Sequence, residues 1–216
     1  MRIPADSQHI SIVGANGSGK SVAEMWHLSM RDLTGKIWVI FNWKYDDNID
    51  GIPHAVNIGL DQIPIKPGVY IYHPIPEVDD ERVEALLWEI WQRGKIGVVI
   101  DEGHMLKDRN PAFRAILTQG RSKEIPLIVL SQRPVWMDRF VFSESMFFQV
   151  FRLQHKRDRK AVQEFIPKPI DKRLPEFHSY YYDVARDEVI VLTPVPPIEE
   201  IYRTFDRKLA VTRKTV

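Results

Sequence analysis

Gly14-Ala15-Asn16-Gly17-Ser18-Gly19-Lys20-Ser21 decides how this chain is read. The residues before it, His9 to Val13, form a short apolar run that reads as a strand. Those after it, Ser21 to Met30, carry a helical pattern. A Gly-x4-Gly-Lys-Ser segment that follows a strand and opens a helix is the Walker A pattern of a phosphate-binding loop. The chemistry gives each residue type a task. The glycines let the backbone turn its N–H groups inward as an anion nest. The helix N-terminus adds partial positive charge. Lys20 supplies a mobile point charge to β- and γ-phosphates. The Ser21 hydroxyl can ligate Mg²⁺. The candidate ligands are therefore ATP and magnesium.

The same alternation continues outward. Ile37 to Phe41, Val69 to Tyr72, Gly97 to Ile100, Leu127 to Leu130 and Phe147 to Leu153 read as strands. Between them, Val83 to Gln92 is helical, with Val83, Leu86, Leu87, Ile90 and Trp91 on one face. His155 to Phe165 reads as a polar helix. Short apolar strands alternating with helices indicate an α/β fold with a mainly parallel central sheet flanked by helices. Tyr180 to Val184 and Val189 to Leu192 add a C-terminal hairpin. The expected organisation is one ATPase domain over residues 1–194. A Pro-rich and then charged tail over 195–216 follows, mobile or docked on a neighbour.

Two further strand ends carry chemistry. Gly97-Val98-Val99-Ile100 runs into Asp101-Glu102. An isolated Asp-Glu at a strand end is ordinarily a solvated pair. In a chain with a complete phosphate loop, Asp101 is the candidate magnesium residue, and Glu102 the candidate base that polarises an attacking water. Leu127 to Leu130 ends in Ser131-Gln132-Arg133-Pro134. Gln132 is either a strand-end loop residue or a sensor between the two nucleotide-binding elements. Asn42-Trp43-Lys44-Tyr45-Asp46 has the wrong spacing for a guanine reader, and no segment supplies the arginine-rich lid of a small-molecule kinase. A Glu beside the magnesium Asp points to hydrolysis.

The 216 residues carry a net charge of +1, so any nucleic-acid contact must come from a local basic patch or from several subunits together. The absence of cysteine excludes disulfides, thiolate metal sites and Cys nucleophiles. No window is long and apolar enough for a membrane span, and no apolar signal region follows Met1 to Asp6. The expectation is a cytosolic protein with no membrane span of its own.

The Walker A segment, the strand ending Asp101-Glu102, and Gly120-Arg121-Ser122-Lys123-Glu124-Ile125 leading into Ser131-Gln132-Arg133-Pro134 together resemble the FtsK/HerA superfamily of DNA-pumping P-loop ATPases. The compact chain looks most like the genome-packaging ATPases of tailless icosahedral dsDNA viruses with an internal membrane. The resemblance covers roughly residues 9 to 165. It implies a RecA-like core and a homo-oligomeric ring, hexamer or pentamer, translocating double-stranded DNA through its pore. It implies location in the host cytoplasm and at a virion vertex, with capsid or inner-membrane proteins as partners. Residue by residue it matches Lys20 and Ser21, then Asp101 and Glu102, then Gln132 as sensor. Arg121 matches an arginine that enters the neighbour's site, where a cation stabilises charge on the transferring phosphoryl group. Arg152 is the second candidate for such a role. The chain departs from the pattern at Asn42, where relatives commonly carry Asp.

DNA grip should come from Lys and Arg on pore-facing loops. Lys107 and Arg109, with Arg114 on the next helix, are the candidates; Lys156 to Lys160 is the densest basic patch and reads first as a solvated helix face. His104 reads as a neighbour of the carboxylates rather than a ligand. Two other readings stay open at this level. One is a virion-assembly or secretion ATPase that moves protein subunits. The other is a slow nucleotide-dependent assembly switch.

Overall fold

The structure is a computed structural model that describes residues 1–106 and 110–214, without the side chains of 212–214. In chain order the strands are β1 (Ile10–Val13), β2 (Ile37–Asn42), β3 (Val56–Asn57), β4 (Gly68–Tyr72), β5 (Ile96–Asp101), β6 (Leu127–Ser131), β7 (Phe147–Val150), β8 (Ser179–Asp183) and β9 (Glu188–Leu192). The helices are α1 (Lys20–Ser29), α2 (Asp47–Asp50), α3 (Asp80–Arg93), α4 (Pro111–Gln119), α5 (Arg139–Ser143), α6 (Lys156–Gln163) and α7 (Ile198–Lys214).

The strands form one sheet in the order β3-β4-β2-β5-β6-β1-β7-β8-β9. From β3 to β7 neighbours run parallel; β8 and β9 close the far side antiparallel. The central strands β1, β2, β5 and β6 are buried along their whole length because helices cover both faces. Alternate residues feed separate cores. Ile37, Val39 and Phe41 of β2 and Ile96, Val98 and Ile100 of β5 pack under α3 and α4. Trp38 and Ile40 of β2 and Val99 of β5 pack under α1 and α7.

The chain crosses from one side of β1 to the other late, through the step from β6 to β7. The C-terminal end of β1 is thus a point where strand order reverses, the place where open α/β sheets bind ligands.

The C-terminal segment departs from the expectation of a tail. Residues 198–214 are helix α7, and its Ile201, Phe205 and Leu209 are buried in the core against α1. Lys208 Nζ donates to the carbonyls of Ser29 at 2.6 Å and Arg31 at 2.9 Å, satisfying acceptors freed by the end of α1. Tyr202 Oη donates to Asn48 O at 2.7 Å. The four-residue spacing of the apolar positions is hidden in sequence by Arg203, Asp206, Arg207 and Lys208 between them. Phe205→Ala should lower the unfolding free energy by about 3 kcal/mol in urea titrations with an unchanged slope. A loss below about 1 kcal/mol would contradict the docking of α7.

Candidate functional site

The phosphate loop is held at its root from both sides. Gly14 N donates to Ser131 O at the end of β6, and Ala15 N donates to Arg152 O just past β7. The glycines are required by geometry. A Cβ on Gly14 would lie 2.6 Å from both Phe151 Cβ and Ser18 Oγ. Gly19 has φ +97° and is the N-cap of α1, with no side-chain cap on the first free N–H groups. Those donors are left for a ligand. Ser18 Oγ is buried and has no hydrogen-bond partner. Lys20 is 5% exposed. Burial pulls its ammonium below the usual range, while the charges of Glu102, Asp101 and Glu24 work the other way.

The carboxylates sit two strands away, at the end of β5, with β6 between. Glu102 takes a left-handed backbone conformation, φ 65° and ψ 71°, which is unfavourable for a residue with a Cβ. The bend turns its side chain inward, where it is 1% exposed. Three donors meet it there. Gln132 N donates to Oε2 at 3.0 Å, His104 Nδ1 lies 3.1 Å from the same oxygen, and Lys44 Nζ pairs with Oε1. Burial alone raises the Glu102 pKa; His104, Lys44 and the Gln132 N–H outweigh it and bring it down to about 2. Its neighbour moves the opposite way. Burial, then the charge of Glu102, pushes Asp101 up to about 7. Adjacent acids thus take opposite protonation tendencies because one has donors and the other has an unpartnered, buried Oδ2.

Asn42 explains how Lys44 reaches this point. It is buried at the end of β2, opposite Asp101 in the register. Its Oδ1 accepts from Asp46 N at 3.0 Å and its Nδ2 donates to Asp50 Oδ1 at 3.1 Å. The clamp shapes the turn that carries Lys44. Trp43 stacks on Phe41 at 5.5 Å and is core.

Glu24 was not singled out by sequence. It lies one turn past Lys20 on α1, is fully buried, and neither carboxyl oxygen has a partner. Burial, then the charges of Asp101 and Asp46, push its pKa well above the usual range. The i, i+4 relation to Lys20 was the available signal. The unpartnered polar atoms of Ser18, Glu24 and Asp101 fit a polar ligand with its cation. Among the described residues no three His, Cys, Asp or Glu gather as a metal cage. A magnesium ion held by Ser21 and Asp101 would draw its remaining ligands from phosphate and water, the usual arrangement for that ion.

The remaining expected residues divide. Gln132 meets Glu102 through its backbone. Arg121 is exposed, just past α4, beside His9 at the opposite end of β1 from Gly14. A four-residue strand separates them by roughly 13 Å. It therefore does not join the phosphate site of its own chain. Arg114 pairs with Asp138 and lies over the Phe140 ring. Lys107 and Arg109 lie outside the described residues. In the basic run, Asp158 is buried, accepts from Val135 N at 3.1 Å and pairs with Arg133. Among the described residues no helix is long and apolar enough to cross a membrane.

Gly14→Ala should displace the phosphate loop and weaken ATP binding by about tenfold or more, the effect of a 1–3 kcal/mol overpacking strain. Titration with a fluorescent ATP analogue checks this, and unchanged affinity would show that the loop has room that its contacts deny.

Comparison with known proteins adds family to geometry. No protein-family model matches the chain. The DNA packaging ATPase P9 of Enterobacteria phage PRD1 is 50% identical over 216 residues, spanning 95% of each chain. The genome packaging NTPase B204 of Sulfolobus turreted icosahedral virus 2, solved with ATP-gammaS, superposes with a TM-score of 0.69 over 88% of this chain and 99% of its own, at 18% identity. ATPases 2 and 3 of EssC from Geobacillus thermodenitrificans superpose with a TM-score of 0.66 over 96% of this chain and 45% of theirs, at 14% identity. The two structures share the P-loop ATPase fold; the P9 match, half identical along nearly its whole length, shows that the chain belongs to the family of viral DNA-packaging ATPases.

Proposed function

We propose that this chain is an ATP-hydrolysing motor that drives double-stranded DNA into a viral capsid, working as a homo-oligomeric ring. One observation carries the hydrolytic part: the buried Glu102 carboxyl, gathered by Gln132 N, His104 and Lys44 at the end of β5. The named activity of the P9 relative supports the cargo.

Each side chain has a step. The nest from Gly14 to Ser21 binds the phosphate chain, and Lys20 balances its β- and γ-oxygens. Ser21 and Asp101 would hold magnesium, which neutralises phosphate charge when bound. Metal binding would favour the ionised form of Asp101, which burial and the charge of Glu102 otherwise disfavour. Glu102 orients the attacking water and accepts its proton. A carboxylate with a pKa of about 2 is a weak base. A contact from Lys44 or His104 must loosen as the water loses its proton, which ties hydrolysis to movement of the β2 turn or the segment after β5. Gln132 would sense the γ-phosphate from the end of β6.

Arg121 acts in the neighbouring subunit's site. Its position at the far end of β1 from its own phosphate loop supports action in trans rather than in cis. Lys107, Arg109 and Arg114 are the candidates for DNA phosphate contact, with Arg114 released from Asp138 when it does so. A ring multiplies a modest charge per subunit. The complex would act at the virion vertex, reached from the host cytoplasm.

Steady-state ATP hydrolysis with and without long double-stranded DNA tests the reading. DNA should raise the wild-type rate. Lys20→Ala should abolish it, and Glu102→Gln should lower kcat by about 10²- to 10⁴-fold while ATP still binds. Arg121→Ala should be inactive alone and regain activity when mixed with Lys20→Ala, whose intact arginine can serve it. ATP turnover that ignores DNA would remove the cargo assignment, and an Arg121→Ala protein as active as wild type would remove the finger.

A further inference from the structure

Helix α6 carries the densest run of positive charge in the chain, and that charge borders an apolar groove. The groove, a cavity of about 300 Å³, lies between α6 and residues 134–142, the segment that links β6 to β7. Met137 and Phe142 form its floor where they join the core, with Phe165 beside them. Arg157 and Lys160 stand on its α6 side. The acids nearby are already taken: Asp158 pairs with Arg133, and Glu164 with Arg139. Arg157 and Lys160 are left without a carboxylate among the described residues. A basic helix that met only water would need no apolar floor. The volume stands at the bottom of the small-ligand range, about 300 Å³, and suits one or two inserted side chains.

A complementary feature lies elsewhere on the same chain. Between β4 and α3, Ile75-Pro76-Glu77-Val78 is exposed at every residue, Ile75 by 52% and Val78 by 73%. Glu77 takes a left-handed backbone conformation, φ +66°, which is unfavourable for a residue with a Cβ. The turn is nevertheless fixed. Ile75 N donates to Asp79 Oδ2 at 2.9 Å, Asp79 N donates to Ile75 O at 3.0 Å, and Arg82 pairs with Asp79 at 2.9 Å. Asp80 and Glu81 follow at once. The result is a pre-ordered knob with two bare aliphatic side chains among acids, and a pre-ordered surface loses little entropy on docking.

Knob and groove cannot meet within one chain. β4 is second and β7 seventh along the sheet; strand spacing puts them roughly 24 Å apart. They do share an edge. The knob follows the C-terminal end of β4, the groove begins just past the C-terminal end of β6, and the two strands run parallel. A knob on one flank and its groove on the other make a head-to-tail contact, the kind that closes into a ring. We propose that the Ile75–Glu81 knob of one subunit docks in the α5–α6 groove of the next. Ile75 and Val78 enter over Met137, Phe142 and Phe165, while Glu77, Asp80 and Glu81 face Arg157 and Lys160. The proposal rests on the homo-oligomeric reading above and adds the two surfaces that meet.

The cysteine-free chain allows a direct test by cross-linking. Val78→Cys and Ala161→Cys, introduced singly into the full chain, should form a disulfide-linked dimer when mixed and oxidised, and neither should do so alone. Sedimentation of charge reversals gives a second measure. Arg157→Glu with Lys160→Glu, and Glu77→Lys with Glu81→Lys, should each raise the concentration needed for association by about tenfold or more, because like charges then face each other. Mixing the two reversed proteins should restore wild-type association, since every mixed contact again pairs opposite charges. Loss in both without recovery on mixing would mean damage to the fold and would overturn the contact. Association that neither reversal weakens, with no mixed cross-link, would overturn it too and leave the ring assembled through other surfaces. A wild type that stays monomeric with ATP and duplex DNA would overturn the ring itself, and this contact with it.

Discussion

The hydrogen bond from Gln132 N to Glu102 Oε2 ties the two halves of the site together. It exists because β6 runs parallel between β1 and β5, so that its end reaches both neighbours. On one side Ser131 O receives the Gly14 N–H and anchors the phosphate loop. On the other, the Gln132 N–H holds the carboxylate that faces the loop. A shift of β6 by one residue would exchange its buried faces, pulling Ile128 and Leu130 out of one core and Leu127 and Val129 out of the other. The chemistry is therefore set by the register of a buried strand rather than by a mobile loop.

That register also explains why two acids next to each other in sequence differ so much. Asp101 ends β5 with a buried oxygen that nothing in the chain satisfies, whereas Glu102 bends out of the strand into three donors. An unsatisfied buried carboxylate is costly, and a cation with its nucleotide is the natural relief. Glu102 is the reverse case. It is satisfied by the chain before any ligand arrives, and its partners come from three different elements: the turn after β2, the segment after β5 and the end of β6. Whatever moves those elements alters the strength of the base.

Much of this was legible in the sequence, and the reasons are local. The phosphate loop, the β5 acids and the alternation of buried strands each follow from residues close together in the chain. The strand and helix expectations agree with the sheet and its helices to within a few residues at the ends. What was hidden depends on distance in sequence. Lys44 meets Glu102 across 58 residues, and nothing near either one announces the pair. Helix α7 was masked for another reason: its three buried apolar residues are outnumbered by charges, so composition suggested a tail. Arg121 is a further case: its motif is local, but only the fold sets it beside His9, at the far end of β1 from its own phosphate loop.

In the function proposed above, hydrolysis at Glu102 moves duplex DNA. The most direct measurement is displacement of a third strand from a defined triplex site on linear double-stranded DNA, followed with ATP, with a non-hydrolysable analogue, and with Glu102→Gln in place of wild type. Wild type should release the third strand with ATP and with neither the analogue nor the Glu102→Gln substitution. Wild type that consumes ATP on that DNA and leaves the third strand in place would contradict it.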